Sequence, residues 1–386
     1  MSVYILGGAR TPQGSFLGTL SSVPAPKLGA TAIAGALEKA GVDKSTVEEV
    51  FMGNVVQAGV GQAPARQAAL FAGLPESVPC TTINKVCGSG LQSVILGAKS
   101  ILTGDASVVV AGGMENMSLA PHLLPNSRSG FKFGETKMKD SMQWDGLWDV
   151  YSDRPMGKCA EECTQKYDLT REAQDEFSIE SFKRAQASQT AGDFNVEISP
   201  VTISSRKGDI VVSEDEGPTK VKFDKVPTLR PAFAKDGTIT AANASTINDG
   251  ACALVLGGEE YKDQAKFKIL GWASHAQNPT WFTTAPVEAV KKNLSKLDLK
   301  VEDIDLWEIN EAFAAVTMMA MKELQLDHRN VNIFGGAVSL GHPIGTSGAR
   351  ILLTLTNAME KKGAKRGCAA ICIGGGEALS LVIERV

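Results

Sequence analysis

Asn84-Lys-Val-Cys-Gly-Ser-Gly90 ends a short β-rich run, opens a helical stretch at 88–103, and leads through the strand-like run 107–111 to Gly112-Gly113. A glycine-rich turn into a helix and then a strand apolar along its whole length is α/β wiring with the strand buried on both faces. The same order returns near the other end, where Gly345-Thr-Ser-Gly348 opens a helix over 346–361 that leads to Ala370-Ile-Cys-Ile-Gly-Gly375. Two matching segments read as a duplicated α/β unit. Outward from the first, residues 3–6 and 49–56 read as strands and 25–40 as an Ala-rich amphipathic helix ended by Gly41. Around the second lie a strand at 305–309, a helix at 312–324 and a buried strand at 368–373. Between the halves, over 117–243, the pattern shifts to polar loops with one charged helix at 171–187 and a β-like stretch at 196–212. An insertion of this kind commonly shapes a substrate-binding surface.

Composition narrows the function classes. A chain of 386 residues with 43% hydrophobic and 21% charged residues can bury a large core and is not a disordered sequence. Acidic and basic residues are intermixed at a net charge of −4, without the basic footprint of a nucleic-acid binder. The N-terminus enters an apolar run with no basic leader, and no stretch reaches membrane-spanning length, so a cytoplasmic enzyme is expected. Seven cysteines, an odd number, suit free thiols in a reducing compartment. Cys159 and Cys163 share a helical spacing but lack nearby partners for a metal, and none is expected.

Chemistry collects at junctions. Cys87 sits where a helix starts, a setting that favours the thiolate, although a single free cysteine is more often a small core hydrophobe. His342, held between Gly341 and Pro343, is a base in a rigid loop or a structural histidine. Cys372 ends a buried strand before Gly374-Gly375-Gly376, whose N–H groups could face an oxyanion. Asn310 in Asn310-Glu-Ala-Phe313 offers an amide, or simply a helix cap. Together the four junctions hold a nucleophile, a base and oxyanion donors.

On these residues the chain closely resembles the thiolase family. The likeness runs from Gly8-Ala-Arg-Thr-Pro12 through Asn84-Lys-Val-Cys-Gly-Ser-Gly90, Gly112-Gly-Met-Glu-Asn-Met117 and Met156-Gly157. It continues in Asn243-Ala-Ser-Thr-Ile-Asn-Asp-Gly250, Asn310-Glu-Ala-Phe313, Gly341-His-Pro343 and Cys372-Ile-Gly-Gly-Gly376. The resemblance implies a thiolase-like α/β fold of two duplicated αβαβα core halves with an inserted loop domain. The halves would be 1–116 completed by 244–264, and 265–386, with 117–243 inserted. It implies Cys87 as the acylated nucleophile, His342 as its activator, Cys372 as the carbon acid/base, and Asn310 as holder of a water at the enolate oxygen. The N–H groups of Cys87 and Gly374 would form an oxyanion hole. Ser245, Met156, Ile247, Phe233 and Phe313 would line the coenzyme A and acyl cleft, and Lys220 would meet a phosphate.

The activity so implied is the reversible condensation of two acetyl-CoA to acetoacetyl-CoA and CoA, without cofactor, usually in a homotetramer. A broader 3-ketoacyl-CoA thiolase of fatty-acid β-oxidation is the alternative. Pro155 stands where many acetoacetyl-forming members carry His, and Trp281-Phe282 are expected to close the acyl tunnel. Decarboxylating synthases of the same fold lack a second cysteine like Cys372. A dinucleotide-binding reading of Gly88-Ser-Gly90 fails because Ser93 stands where the last small residue belongs.

Overall fold

The computed structural model describes residues 2–206 and 208–386. Its central sheet has ten strands: β1 Val3–Arg10, β2 Gly14–Ser15, β3 Glu49–Gly53, β4 Cys80–Ile83, β5 Val108–Asn116, β6 Asn248–Gly257, β7 Phe267–Ala276, β8 Leu306–Ile309, β9 Arg366–Ile373 and β10 Glu377–Arg385. They lie in the order β8-β9-β10-β7-β1-β6-β5-β3-β4, with β2 on β6. The two halves of the sheet meet where Val3–Ile5 pair antiparallel with Phe267–Ile269. Outward from that seam each half repeats one pattern, two antiparallel pairings and then a parallel one.

Strand alternation builds the layers. In β5, Val108 and Val110 enter a cluster with Leu28, Ile33 and Ala36, whereas Val109 and Ala111 face the opposite side with Leu91, Val94 and Ile95. In β9, Ala369 and Ile371 share that second cluster, while Cys368 and Ala370 pack with Val287, Val290 and Leu294. Helices α1 Ala25–Ala40, α2 Ser89–Thr103, α3 Met156–Lys166, α4 Arg171–Ala191, α5 Ala285–Lys296, α6 Ala314–Leu324 and α7 Ser347–Lys362 supply the partners. With α1 outside one half, α2 and α7 packed together in the middle, and α5 outside the other, the layers read αβαβα.

The middle helices touch backbone to backbone at their first turns. A Cβ on Gly90 would stand 2.7 Å from the Ala349 nitrogen, and one on Gly348 2.5 Å from the Leu91 nitrogen. This closeness brings two helix starts, about 260 residues apart in the chain, to one place.

Several boundaries differ from the sequence reading, each for a tertiary reason. The strand at 107–111 runs on to Asn116 because β6 pairs it along its whole length. The helix expected from 312 starts at Ala314, since Phe313 stays extended and the Ala314 N–H donates to the Asn243 carbonyl at 2.8 Å. Helix α4 continues past 187 to Ala191, where Gly192 closes it at φ +76. The β-like 196–212 stretch, of which Lys207 lies outside the described residues, is a hairpin of Val201–Ile203 with Ile210–Val212. Among the described residues no helix is long and apolar enough to cross a membrane.

Candidate active site

The Cys87 turn connects β4 to α2 and is tightly pinned. Val86 adopts φ +45, a conformation rare for a β-branched residue and held by its surroundings. Asn84 Oδ1 accepts the Val86 N–H at 3.0 Å, and Ser89 Oγ accepts the Lys85 N–H at 2.8 Å while donating to the Val86 carbonyl at 2.7 Å. Lys85 pairs with Glu377, tying this turn to the one after β9. The backbone N–H groups of Gly374 and of Cys87 itself favour the charged form of the Cys87 sulfur. Burial nevertheless pushes the thiol up to about 11, with these two donors pulling the other way. The expected lowering at the helix start is thus reversed: desolvation of the charged sulfur outweighs the N–H groups.

His342 is buried in the loop before α7. Gly341 has φ +101, and a Cβ there would stand 2.2 Å from the Asn248 side chain, so this loop position requires glycine. Asn248 Oδ1 accepts the His342 N–H at 3.1 Å. The ring Nδ1 lies 2.5 Å from Ser347 Oγ, whose hydroxyl donates to the Pro343 carbonyl at 3.0 Å. With that proton committed, the serine oxygen accepts from Nδ1–H, which leaves Nε2 a bare lone pair. Nε2 is buried and has no hydrogen-bond partner among the described residues. Burial, and then the Arg350 cation, hold the imidazole down at about 3, so the ring is neutral. Ser347 was not singled out by sequence reasoning; its position as the first residue of a helix that starts just after a histidine was the available signal.

Asn310 and Cys372 are both buried. Both side-chain polar atoms of Asn310 are buried without a partner among the described residues, as suits a group that binds a small polar molecule. The helix-cap alternative for Asn310 is not what the structure has, since Phe313 stands at the cap of α6. Glu311 fixes the segment by accepting from Ser181 Oγ at 2.8 Å, Asn332 Nδ2 at 2.7 Å and the Val338 N–H at 3.1 Å. Cys372 is buried near the end of β9 in an apolar cluster with Phe282, Phe313 and Ala315. β9 runs parallel to β8 on one side and antiparallel to β10 on the other. Burial and then the neighbouring Cys87 push its thiol well above the ordinary value. Burial thus favours the neutral thiol at both Cys87 and Cys372.

A cavity of about 400 Å³ is lined by Cys87, His342 and Gly374 together with Met156, Phe233, Ser245, Ile247 and Phe313. Ser245 Oγ donates to the Ala312 carbonyl at 2.9 Å, bracing the wall. Phe233 and Phe282 both pack edge-on against Phe313, at 6.1 and 6.2 Å. Of the aromatic pair expected to close the tunnel, Phe282 lines the cavity, but Trp281 turns aside under the Lys166 ammonium, 4.3 Å from its ring. Lys220 stands outside this cavity. It pairs with Glu216 at 3.0 Å and lines a neighbouring cavity of about 320 Å³ with Lys222 and Lys225, and Thr246 lines both cavities. Among the described residues no three His, Cys, Asp or Glu side chains group as metal ligands.

Residues 3–260 match the thiolase N-terminal domain and residues 263–385 the thiolase C-terminal domain. An acetyl-CoA acetyltransferase of Schizosaccharomyces pombe is 50% identical over 390 residues, covering 100% of this chain and 99% of the relative. A mitochondrial acetyl-CoA acetyltransferase of Rattus norvegicus is 50% identical, covering 100% of this chain and 91% of the relative. The crystal structure of a thiolase from Ascaris suum in complex with coenzyme A superposes with a TM-score of 0.95 at 45% identity, covering 100% of both chains.

Proposed function

Because this chain belongs to the thiolase family, we propose that it forms and cleaves acetoacetyl-CoA through an acetyl-Cys87 intermediate. It is an acyltransferase, an acetyl-CoA C-acetyltransferase. The observation that carries the mechanism is the lining of one cavity by the Cys87 thiol, the partnerless Nε2 of His342 and the Gly374 backbone.

In the first half-reaction the Cys87 sulfur attacks the thioester carbonyl of acetyl-CoA as its proton passes to His342 Nε2. The tetrahedral oxyanion is held by the N–H groups of Cys87 and Gly374, each such donor being worth about 10²–10³ in rate. CoA leaves as the thiol, taking the proton from His342. In the second, the neutral His342 Nε2 takes the Cys372 proton, and the thiolate so formed takes an α-proton from another acetyl-CoA. The enolate oxygen is met by His342 and by a water on Asn310, and the enolate carbon attacks the acetyl carbonyl on Cys87. The C–C bond forms, the Cys87–acyl bond breaks, and the proton on His342 passes to the Cys87 sulfur, which leaves Cys372 protonated as at the start. Thiolysis runs these steps backwards.

The same reading has CoA extend from the catalytic cavity past Thr246 into the lysine-lined one, where Lys220, Lys222 and Lys225 would meet its phosphates. The cation expected at Lys220 then acts with its neighbours.

Short acyl chains should be preferred. The Phe233, Phe282 and Phe313 cluster closes one side of the cavity, and Pro155 adds an apolar wall. Each methylene in an apolar pocket shifts discrimination by about 1–3 kcal/mol. The kcat/KM for acetoacetyl-CoA is expected to exceed that for 3-ketohexanoyl-CoA at least about tenfold. A value for 3-ketohexanoyl- or 3-ketooctanoyl-CoA equal to or above it would mark a broad-range thiolase instead.

We further propose a homotetramer acting in the cytoplasm in fatty-acid metabolism. Exposed Leu124, Phe131, Phe133 and Met138 give an apolar surface suited to contact between copies, and all seven cysteines are free. Light scattering should return four times the mass of one chain; a monomeric mass at micromolar concentration overturns the assembly.

A further inference from the structure

One buried acid joins the loops that carry the nucleophile and the base. Glu115, in β5, is wholly buried. Its Oε1 accepts from Asn54 Nδ2 at 2.8 Å and the Val56 N–H at 3.2 Å, and its Oε2 from the Val55 N–H at 3.0 Å and the Gly345 N–H at 2.9 Å. Asn54 to Val56 leave β3 and lead to the nucleophile's turn. The Asn54 N–H donates to the Ile83 carbonyl at 3.0 Å, and Asn84 Nδ2 donates to the Val55 carbonyl at 3.4 Å. Asn84 in turn holds Val86 through its Oδ1. Gly345 ends the short loop that begins at Gly341 and carries His342. A Cβ on Gly345 would lie 2.7 Å from Glu115 Oε2, so the absence of a side chain there is what admits the carboxylate.

The carboxylate therefore lies one hydrogen bond from the base's loop and two from the nucleophile's turn. Four N–H donors converge on it, and none of its oxygens is left to solvent. Burial raises its pKa to about 7, while the three backbone donors pull it back.

We propose that Glu115 is a positioning residue whose carboxylate sets the placement of Cys87 relative to His342. It touches no substrate, and its part in catalysis rests on the reading of Cys87 as nucleophile and His342 as base. Hydrogen bonds between segments far apart in sequence are the means by which a fold holds two reacting groups at fixed separation, and a shift of about 1 Å costs about 10²-fold in rate.

Glu115→Gln keeps the shape but replaces one oxygen with an amide nitrogen that cannot accept, so donors on that side lose their acceptor. In thiolysis of acetoacetyl-CoA its kcat should fall about 10- to 100-fold with KM within about threefold. Alkylation of Cys87 by iodoacetamide should slow at neutral pH, its rate profile moving to higher pH as the imidazole is less well placed to take the proton. Far-UV circular dichroism and a cooperative melt report on folding. Should Glu115→Gln not fold, Asn54→Ala leaves the carboxylate and removes one donor, and a several-fold kcat loss at constant KM is expected. The proposal is overturned by kcat within threefold of wild type, by a loss that tracks only the unfolded fraction, or by an unmoved alkylation profile in the folded variant. A wild-type protein that does not cleave acetoacetyl-CoA would instead remove the thiolase reading, and the alkylation comparison would still read the role of Glu115.

Discussion

Cys87→Ala should abolish acyl capture and turnover together, lowering kcat by at least about 10⁴-fold, in the range reached when a covalent nucleophile is removed. Among the seven cysteines Cys87 alone lines the catalytic cavity, so no other thiol can reach the thioester from the same place. The fold should survive. The side chain is half-buried and its loss should cost about 1 kcal/mol, the middle of the range for single substitutions. The turn is held by backbone and by Asn84, Lys85 and Ser89, all of which remain. Incubation of the wild type with acetyl-CoA followed by peptide mass spectrometry should find an acetyl group on Cys87, and none on the variant. An adduct confined to Cys372, or turnover surviving in Cys87→Ala, would sink the assignment.

Cys372→Ala should separate the two half-reactions. Cys372 packs in the apolar cluster with Phe282 and Phe313 but is not itself part of the cavity lining that holds Cys87, and its thiol has no part in the attack on the first thioester. Acetylation of Cys87 should stay within about tenfold of wild type. Condensation and thiolysis should both fall about 10³-fold, within the 10²–10⁴ span of general acid–base catalysis. The expected species is a stable acetyl-Cys87 enzyme that accumulates without forming acetoacetyl-CoA. Isotope exchange into the methyl group of acetyl-CoA should be lost to the same degree, since it reports α-proton removal alone. If acylation and condensation fell equally in a folded variant, the two cysteines would be acting as one unit and the division of labour would be wrong.

The site was legible because its residues sit at junctions. Glycine runs beside Cys87, His342 and Cys372 mark turns between a strand and a helix or between strands, and chain direction puts such turns at the sheet's edge. Helices at 88–103 and 346–361 were readable to within a residue, since their caps and apolar faces are local properties. Lys220 and Trp281 show the limit. Lys220 pairs with Glu216 and lines the neighbouring cavity instead of this one, and Trp281 packs under the Lys166 ammonium while Phe282 beside it lines the wall. Glu115 carried no signal of its own, because it matters through partners far away in the chain.

The sequence by itself determined the α/β class and the duplicated halves, which depend on periodicity and turn chemistry over a few neighbouring positions, and it marked four junction residues as site candidates. Only the tertiary structure decided that the starts of α2 and α7 touch through Gly90 and Gly348, that His342 is neutral with Nε2 unpartnered among the described residues, and that burial raises the Cys87 and Cys372 thiols. Those properties are set by desolvation and by hydrogen bonds between segments hundreds of residues apart, and such contacts exist only once packing has closed the core around them.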